Sequence, residues 1–380
     1  MNKLKILYIS NGFLGLSKVH RVLCSAVDKI KIQQTVFAVN RKNKSQREDT
    51  ELYFSVEGSK VIYSRFLRTY HKFLFRNKAR FLYQDLTDQT NIENIDLIHA
   101  TTLFTDGVLA LKLYKKYNKR YIITIRNTDL NTFLKYRKDL YSLMHEILKN
   151  ADKIIFISEA YRINLFEHNS IKKSKHLYYD KTIVISNGID DFWLSNIYPK
   201  KQTSAFKILF VGRISKEKNL VRLINALLQL REVRQDIQLT IVGELGNDEK
   251  TVLPLIQKYS KFIEYTGSIK SKEKLLKIYR SHHIFAMPSL TETFGLVYIE
   301  ALSQGLPVLF TENQGIDGVF QDGVVGEKVN AYSVDSIVSG LEKIILNYPQ
   351  YNLSKIDFSR FDWIEIAKSY QKLYNEVLNR

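Results

Sequence analysis

The sequence of 380 residues holds a single cysteine, Cys24, so no disulfide can form within the chain. Cys24 stands in an apolar stretch, where a buried structural thiol is expected. No uncharged apolar run approaches the ~18 residues of a membrane-spanning helix. The opening Met-Asn-Lys-Leu-Lys-Ile-Leu-Tyr-Ile-Ser lacks the small-residue cleavage site of a secretory leader, and a cytoplasmic chain is expected. Short repeats and low-complexity tracts are absent as well. Acidic residues are in deficit: 39 Asp and Glu face 57 Lys and Arg, a net charge of +18. The imbalance sits in residues 1–200, with 34 cations against 19 acids; residues 201–380 hold 23 against 20. Such a field attracts an anionic partner, either nucleic acid or a membrane surface rich in anionic lipid. No RNP-like, zinc-finger or helix-turn-helix signature occurs, and nucleic acid is not the expected partner.

The chain is too long for one ordinary core and suggests two domains. Apolar runs at Leu4–Ser10, Thr35–Val39, Leu97–Ala100, Tyr121–Ile125, Lys153–Ser158 and Thr182–Ile185 alternate with helical stretches. Runs of this kind are parallel strands joined by crossover helices. The same rhythm restarts with strands at Lys207–Val211, Gln238–Val242, Phe262–Tyr265, Ile284–Met287 and Val308–Phe310. Two doubly wound Rossmann-like α/β domains are expected, facing a central cleft, with boundaries at 1–190 and 191–361. The boundary falls in Asp190–Ala205, which has no clear period. A terminal helix over 362–380 carries an apolar stripe from Trp363 to Val377.

Open α/β sheets bind ligands at the carboxyl ends of their strands, so the loops there carry the chemistry. After Lys207–Val211 come Gly212, Arg213 and, five residues on, Lys218. Arg grips phosphate oxygens through paired hydrogen bonds and Lys supplies a movable charge, which suits a diphosphate. On spacing alone a solvated charged loop is the plainer reading, because Lys and Arg are common in this chain. After Ile284–Met287 comes Pro288-Ser289-Leu290-Thr291-Glu292-Thr293-Phe294-Gly295-Leu296, then a helix containing Glu300. Gly295 permits close backbone approach, and amides of Phe294, Gly295 and Leu296 at a helix start form an anion site. Glu300, about one turn further in, can accept hydrogen bonds from a ribose diol. The plainer alternative makes Glu292 a loop acid and Glu300 a helix-surface acid.

Glu292 and Glu300 reproduce the glutamate–seven residues–glutamate pattern of retaining GT-B glycosyltransferases of family 4, the glycosyl transferases group 1, and Arg213 with Lys218 resembles their arginine–four residues–lysine element. The similarity continues through Val242-Gly243, Tyr265-Thr266-Gly267-Ser268-Ile269 and Glu300-Ala301-Leu302-Ser303-Gln304-Gly305-Leu306-Pro307, covering most of residues 180–375. It implies the GT-B fold, with the terminal helix crossing back to the first domain. It implies a hexose transfer from a nucleotide-diphosphate sugar, UDP or GDP type, to a glycan or lipid-linked acceptor in cell-surface polysaccharide synthesis. By the same resemblance Arg213, Lys218 and Glu292 serve catalysis, while Gly212, Gly267, Ser268, Phe294, Gly295, Leu296 and Glu300 hold the donor. No Asp-x-Asp occurs, so the metal-holding pair of the other common glycosyltransferase fold is missing and a reaction without metal or other cofactor is expected.

The first half is less similar. Gly12 and Gly15 stand where relatives have a glycine-rich loop facing the donor phosphates, without adjacent glycines. Where many relatives place a histidine after the strand Tyr121–Ile125, this chain has Arg126-Asn127-Thr128-Asp129. Arg126, Asp129 and His99 are the acceptor-side candidates; packing or loop capping fits Arg126 and Asp129 as well, and for His99 a structural histidine at a strand end is the plainer reading. Residues Ser64–Gln84 contain six cations and no acid, and on one helix Phe66, Leu67, Tyr70, Phe73, Leu74 and Phe81 share a face. This is a membrane-interface pattern or a helix packed on its domain; the first would hold the protein at the inner face of a membrane. Two other functions fit parts of the sequence, a GT-B nucleotide-sugar epimerase and a non-enzymatic nucleic-acid-binding module. Neither accounts for the paired glutamates.

Overall fold

The computed structural model describes residues 4–14, 18–40, 52–199 and 206–379. They form two compact units, Met1–Ile157 with Asn164–Asn187 and Trp363–Arg380, and Ser158–Ile163 with Gly188–Asp362.

The first unit is a parallel sheet of β1 (Lys5–Ser10), β2 (Gln33–Ala38), β3 (Lys60–Tyr63), β4 (Leu97–Ala100), β5 (Tyr121–Ile125), β6 (Lys153–Phe156) and β7 (Thr182–Val184). Their order is β3-β2-β1-β4-β5-β6-β7, with Ile6 opposite Leu97 and Ile122 opposite Lys153. All five residues of β5 are buried, as a strand covered on both faces requires. The helix Trp363–Leu378 belongs to this unit and packs on the helix Val19–Lys29. Its buried residues, Trp363, Ile366, Ala367, Tyr370, Leu373, Tyr374 and Val377, recur at helical spacing and meet Ile6, Tyr8, Leu23 and Val27. Each large apolar side chain so buried contributes about 1.5–3 kcal/mol.

The second unit is also parallel: β8 (Lys207–Val211), β9 (Gln238–Val242), β10 (Ile263–Gly267), β11 (Ile284–Ala286), β12 (Val308–Thr311) and β13 (Gly326–Val329), ordered β10-β9-β8-β11-β12-β13. In both sheets the strand order reverses beside the first strand, between β1 and β4 and between β8 and β11. The loops leaving these strands part there and open a crevice.

One expected element does not form. Residues 64–84 are not a single helix: Thr69–Lys72 make one tight turn, and the helix runs from Phe75 to Gln89. The cause lies beyond the segment. Asp85 accepts the backbone amide of Arg65 at 2.6 Å and its Nε at 2.8 Å, which holds the chain extended ahead of the helix. Phe66, Tyr70, Phe73 and Leu74, 46–78% exposed, therefore lie outside the helix rather than on its face.

Candidate functional site

In the second unit the crevice is built by the loops after β8 and β11. Gly212 donates its amide to Val242 at 2.9 Å, and Ile214 to Glu244 at 2.8 Å. This docks the β8 loop on the β9 loop so closely that a Cβ on Gly243 would stand 1.9 Å from the Gly212 carbonyl oxygen. Only glycine fits there. Gly243 in turn donates to the Gly267 carbonyl at 2.9 Å, so the ends of β8, β9 and β10 form one ridge with Ser268 exposed beside it. Arg213 is exposed and makes no ion pair among the described residues; Gly246 lies beneath its stem, a Cβ there meeting the Arg213 Nε at 2.9 Å. Asn219, at φ +58°, ties the two loops together by donating to the carbonyls of Pro288 and Ala331 at 3.0 and 2.7 Å. Leu290 donates to the Glu217 carbonyl at 2.8 Å.

Across the crevice, Lys218 Nζ reaches Glu292 Oε2 at 2.5 Å. Glu292 is held from three sides: its amide donates to Gln314, its carbonyl accepts from Gly315, and its Oε1 accepts from the Thr293 amide. Ser158, which clusters with this unit, donates to the Thr293 carbonyl at 3.0 Å. Phe294 is buried against Phe361. Gly295 begins the helix Leu296–Ser303 at φ +76° without a side-chain cap, and a Cβ there would lie 2.5 Å from the Tyr298 ring. The helix thus presents its uncapped start, with its positive dipole end, beside Glu292 and Lys218. Glu300, half-buried one turn on, accepts from Tyr279 Oη at 3.3 Å. Burial, reinforced by Asp190, raises its carboxyl to about 7.

The arrangement gathers two cations, an uncapped helix start and two carboxylates, a combination suited to a diphosphate with a hydroxyl-rich neighbour. Of the residues expected from sequence, Arg213, Lys218, Glu292, Gly295, Leu296 and Glu300 line these two loops and the helix that follows. Asn219, Gln314 and Tyr279 are the supports that the sequence reading missed. Asn219 carried one signal, an asparagine directly before a helix, where a left-handed residue is tolerated.

In the first unit the acceptor-side candidates separate. His99 is 1% exposed, with Nδ1 on Tyr374 Oη at 3.0 Å and Nε2 on Thr124 Oγ1 at 2.8 Å. Burial lowers it to about 3, so it is a neutral member of the core. Asp129, also 1% exposed, accepts the amides of Leu103, Phe104 and Arg126, fixing the loops after β4 and β5; burial raises it to about 7. Arg126 is half-buried and donates through Nε to the Thr101 carbonyl. Gly12 lies beside His20, and Gly15 lies outside the described residues.

Two family descriptions match the chain: Glycosyltransferase Family 4 over residues 15–191 and Glycosyl transferases group 1 over residues 196–355. Alpha-monoglucosyldiacylglycerol synthase of Acholeplasma laidlawii is 29% identical over 61% of this chain and 62% of that protein. Lipopolysaccharide 1,2-N-acetylglucosaminetransferase of Salmonella typhimurium is 26% identical over 43% of this chain and 47% of that protein. The chain thus spans about half to three-fifths of the length of these curated relatives. Among solved structures, sucrose-phosphate synthase from Thermosynechococcus elongatus superposes with a TM-score of 0.75 at 19% identity, covering 99% of this chain and 100% of that one. Anabaena Alr3699/HepE in complex with UDP and glucose gives a TM-score of 0.66 at 16% identity, over 98% and 100%. At such identities the likeness is one of fold.

Proposed function

The chain belongs to the family 4, group 1 glycosyltransferases and has their GT-B fold, and from that premise we propose that it transfers a hexose-type sugar from a UDP- or GDP-sugar to a glycan or lipid-linked acceptor in cell-surface polysaccharide synthesis. The transfer retains the anomeric configuration and needs no metal. The observation that carries this reading is the placement of Lys218, Glu292 and the uncapped helix start at Gly295 around one crevice, with Arg213 on the neighbouring loop. The solved relatives holding UDP, UDP-glucose and UDP-2-fluoro glucose support a nucleotide-sugar donor.

Breaking the sugar–phosphate bond builds negative charge on the departing diphosphate and positive charge on the anomeric carbon. Arg213, Lys218 and the amides at the start of Leu296–Ser303 stabilise the first. Glu300 accepts hydrogen bonds from the ribose. Glu292, already the partner of Lys218, lies where the transferred sugar meets the diphosphate and orients both. The acceptor hydroxyl attacks on the face the diphosphate leaves and passes its proton to a phosphate oxygen. The two glutamates are accordingly not a glycosidase-like acid and nucleophile.

Among the described residues no helix is long and apolar enough to cross a membrane. The protein works in the cytoplasm, and the exposed Phe66, Tyr70, Phe73 and Leu74 beside Arg68 and Arg76 bring it to the anionic inner face of a membrane. The test supplies labelled UDP- and GDP-sugars with extracted lipid and polysaccharide acceptors. Label should enter an acceptor with retained configuration, in EDTA as in magnesium. Free sugar or epimerised donor as the sole product would overturn the reading.

A further inference from the structure

The first unit contains a cavity of about 660 Å³, within the ~300–1,000 Å³ range of small-ligand sites. It lies at the carboxyl ends of the strands flanking the reversal of strand order. Asn11 follows β1, residues 66–71 follow β3, Thr105 follows β4, and Thr128, Thr132 and Phe133 follow β5. Four loops remote in sequence therefore converge where a parallel sheet takes its ligands.

Its walls are chemically divided. Lys78, 8% exposed, donates to Asn11 Oδ1 at 3.2 Å, and Asp106 holds the Asn11 amide at 3.0 Å from behind. Thr105, whose hydroxyl pairs with that of Thr102 at 2.7 Å, Thr128 and Thr132 continue this polar side. Thr132 and Phe133 lie on a widened, π-helical turn, Asp129–Leu134, whose first residue is the carboxylate that fixes the adjacent loops. Phe75 and Phe133 form an aromatic wall, their rings edge to face at 5.7 Å, with Phe133 also stacked on Phe104. Phe66, 50% exposed, and Tyr136, 67% exposed, extend that wall outwards.

Three cations, Arg68, Lys78 and Arg137, line the cavity and no carboxylate does. Arg137 is tied to Asp139, whereas Arg68 is exposed and forms no ion pair among the described residues. An anion is favoured inside, and the exposed aromatic rim, continued by Phe73 at 78% and Leu74 at 49%, favours an apolar chain outside.

We propose that this cavity binds the phosphate-bearing head of an amphiphile, with Arg68 and Lys78 on the phosphate, the threonine side on its hydroxyls, and Phe66 and Tyr136 against the start of the apolar chain. Resting on the transferase reading, this makes the acceptor an anionic lipid rather than a neutral glycan. None of Arg68, Lys78 and Tyr136 belongs to the donor crevice.

The test measures binding of dihexanoyl phosphatidylglycerol, below its micelle concentration, to the full chain by calorimetry. Dihexanoyl phosphatidylcholine serves as the uncharged comparison and glycerol 3-phosphate as the head without a chain. Saturable binding is expected for the anionic lipid, about tenfold weaker in Arg68→Gln and in Tyr136→Ala. Lys60→Gln, which removes an exposed cation at the opposite end of β3, should bind as the parent does. Equal affinity for the two lipids, equal affinity for glycerol 3-phosphate, or an equal loss in Lys60→Gln would each overturn the proposal. UDP binding measured on the same samples separates the two readings: retained UDP affinity without lipid preference defeats this inference alone, whereas loss of any nucleotide binding in the parent defeats the transferase reading.

Discussion

Lys218 and Glu292, 74 residues apart, meet at 2.5 Å across the crevice between the loops after β8 and β11. Their side chains are 23% and 13% exposed, so the pair is screened less than a surface salt bridge. In the free protein the lysine is held where a diphosphate would draw it. On the proposed reading Glu292 competes for Lys218 when nucleotide binds. Glu292→Gln should bind UDP about two- to fivefold tighter than the parent while turnover falls, and Lys218→Met should bind it about tenfold more weakly. Calorimetry with UDP and a turnover assay check both; weaker UDP binding in Glu292→Gln would show that the glutamate does not compete.

Glu300 gives the site a pH dependence. Its carboxyl is raised to about 7, so near neutrality it is partly protonated in the free protein, while a ribose diol is best received by the carboxylate. Nucleotide affinity should fall as pH drops through 7, by up to about tenfold per unit, and this slope should vanish in Glu300→Gln. Stability moves the other way. A raised carboxyl is protonated in the native state and ionised in the unfolded one between its ordinary range and 7, so folding loses stability as pH rises through that window. At pH 8 Glu300→Gln should be more stable than the parent by about 1–2 kcal/mol, read by urea unfolding.

Gly295→Ala tests the helix start. The new Cβ would lie 2.5 Å from the Tyr298 ring at φ +76°, and Tyr298 is buried with its hydroxyl on the Met287 carbonyl. A loss of about 1–3 kcal/mol of stability is expected, with weakened diphosphate binding. Thermal unfolding and nucleotide titration check the two effects.

The strands buried on both faces were legible because continuous apolar runs such as Tyr121–Ile125 have few other uses, and the loops between them followed. The short edge strands β3 and β13, four residues each and only partly buried, carry too little pattern to stand out. The segment Ser64–Gln84 misled for a physical reason: its helical periodicity is real, but the carboxylate of Asp85 captures the backbone of Arg65. The loops after β8 and β11 were legible as residue types, whereas their supports were not, because Asn219, Gln314 and Tyr279 act through contacts made only once the loops meet.

For His99 the sequence left two readings open, a structural histidine at a strand end and an acceptor-side one. A histidine at a strand end is chemically versatile, yet here both ring nitrogens are committed to Tyr374 and Thr124 inside the core. Tyr374→Phe leaves His99 and Tyr8 each short of a partner and should cost about 1–3 kcal/mol in urea unfolding, with nucleotide affinity unchanged. An altered nucleotide affinity would place this cluster in the binding machinery instead.

The most direct measurement is the ratio of affinities for UDP and UMP, or GDP and GMP, since it isolates the second phosphate. For the nucleotide that binds, the parent should prefer the diphosphate by at least about tenfold. Arg213→Ala, at an exposed position, should keep the fold and the monophosphate affinity while that preference falls to about threefold or less. A folded Arg213→Ala protein that keeps the full preference would contradict the placement of the donor diphosphate at the β8 and β11 loops.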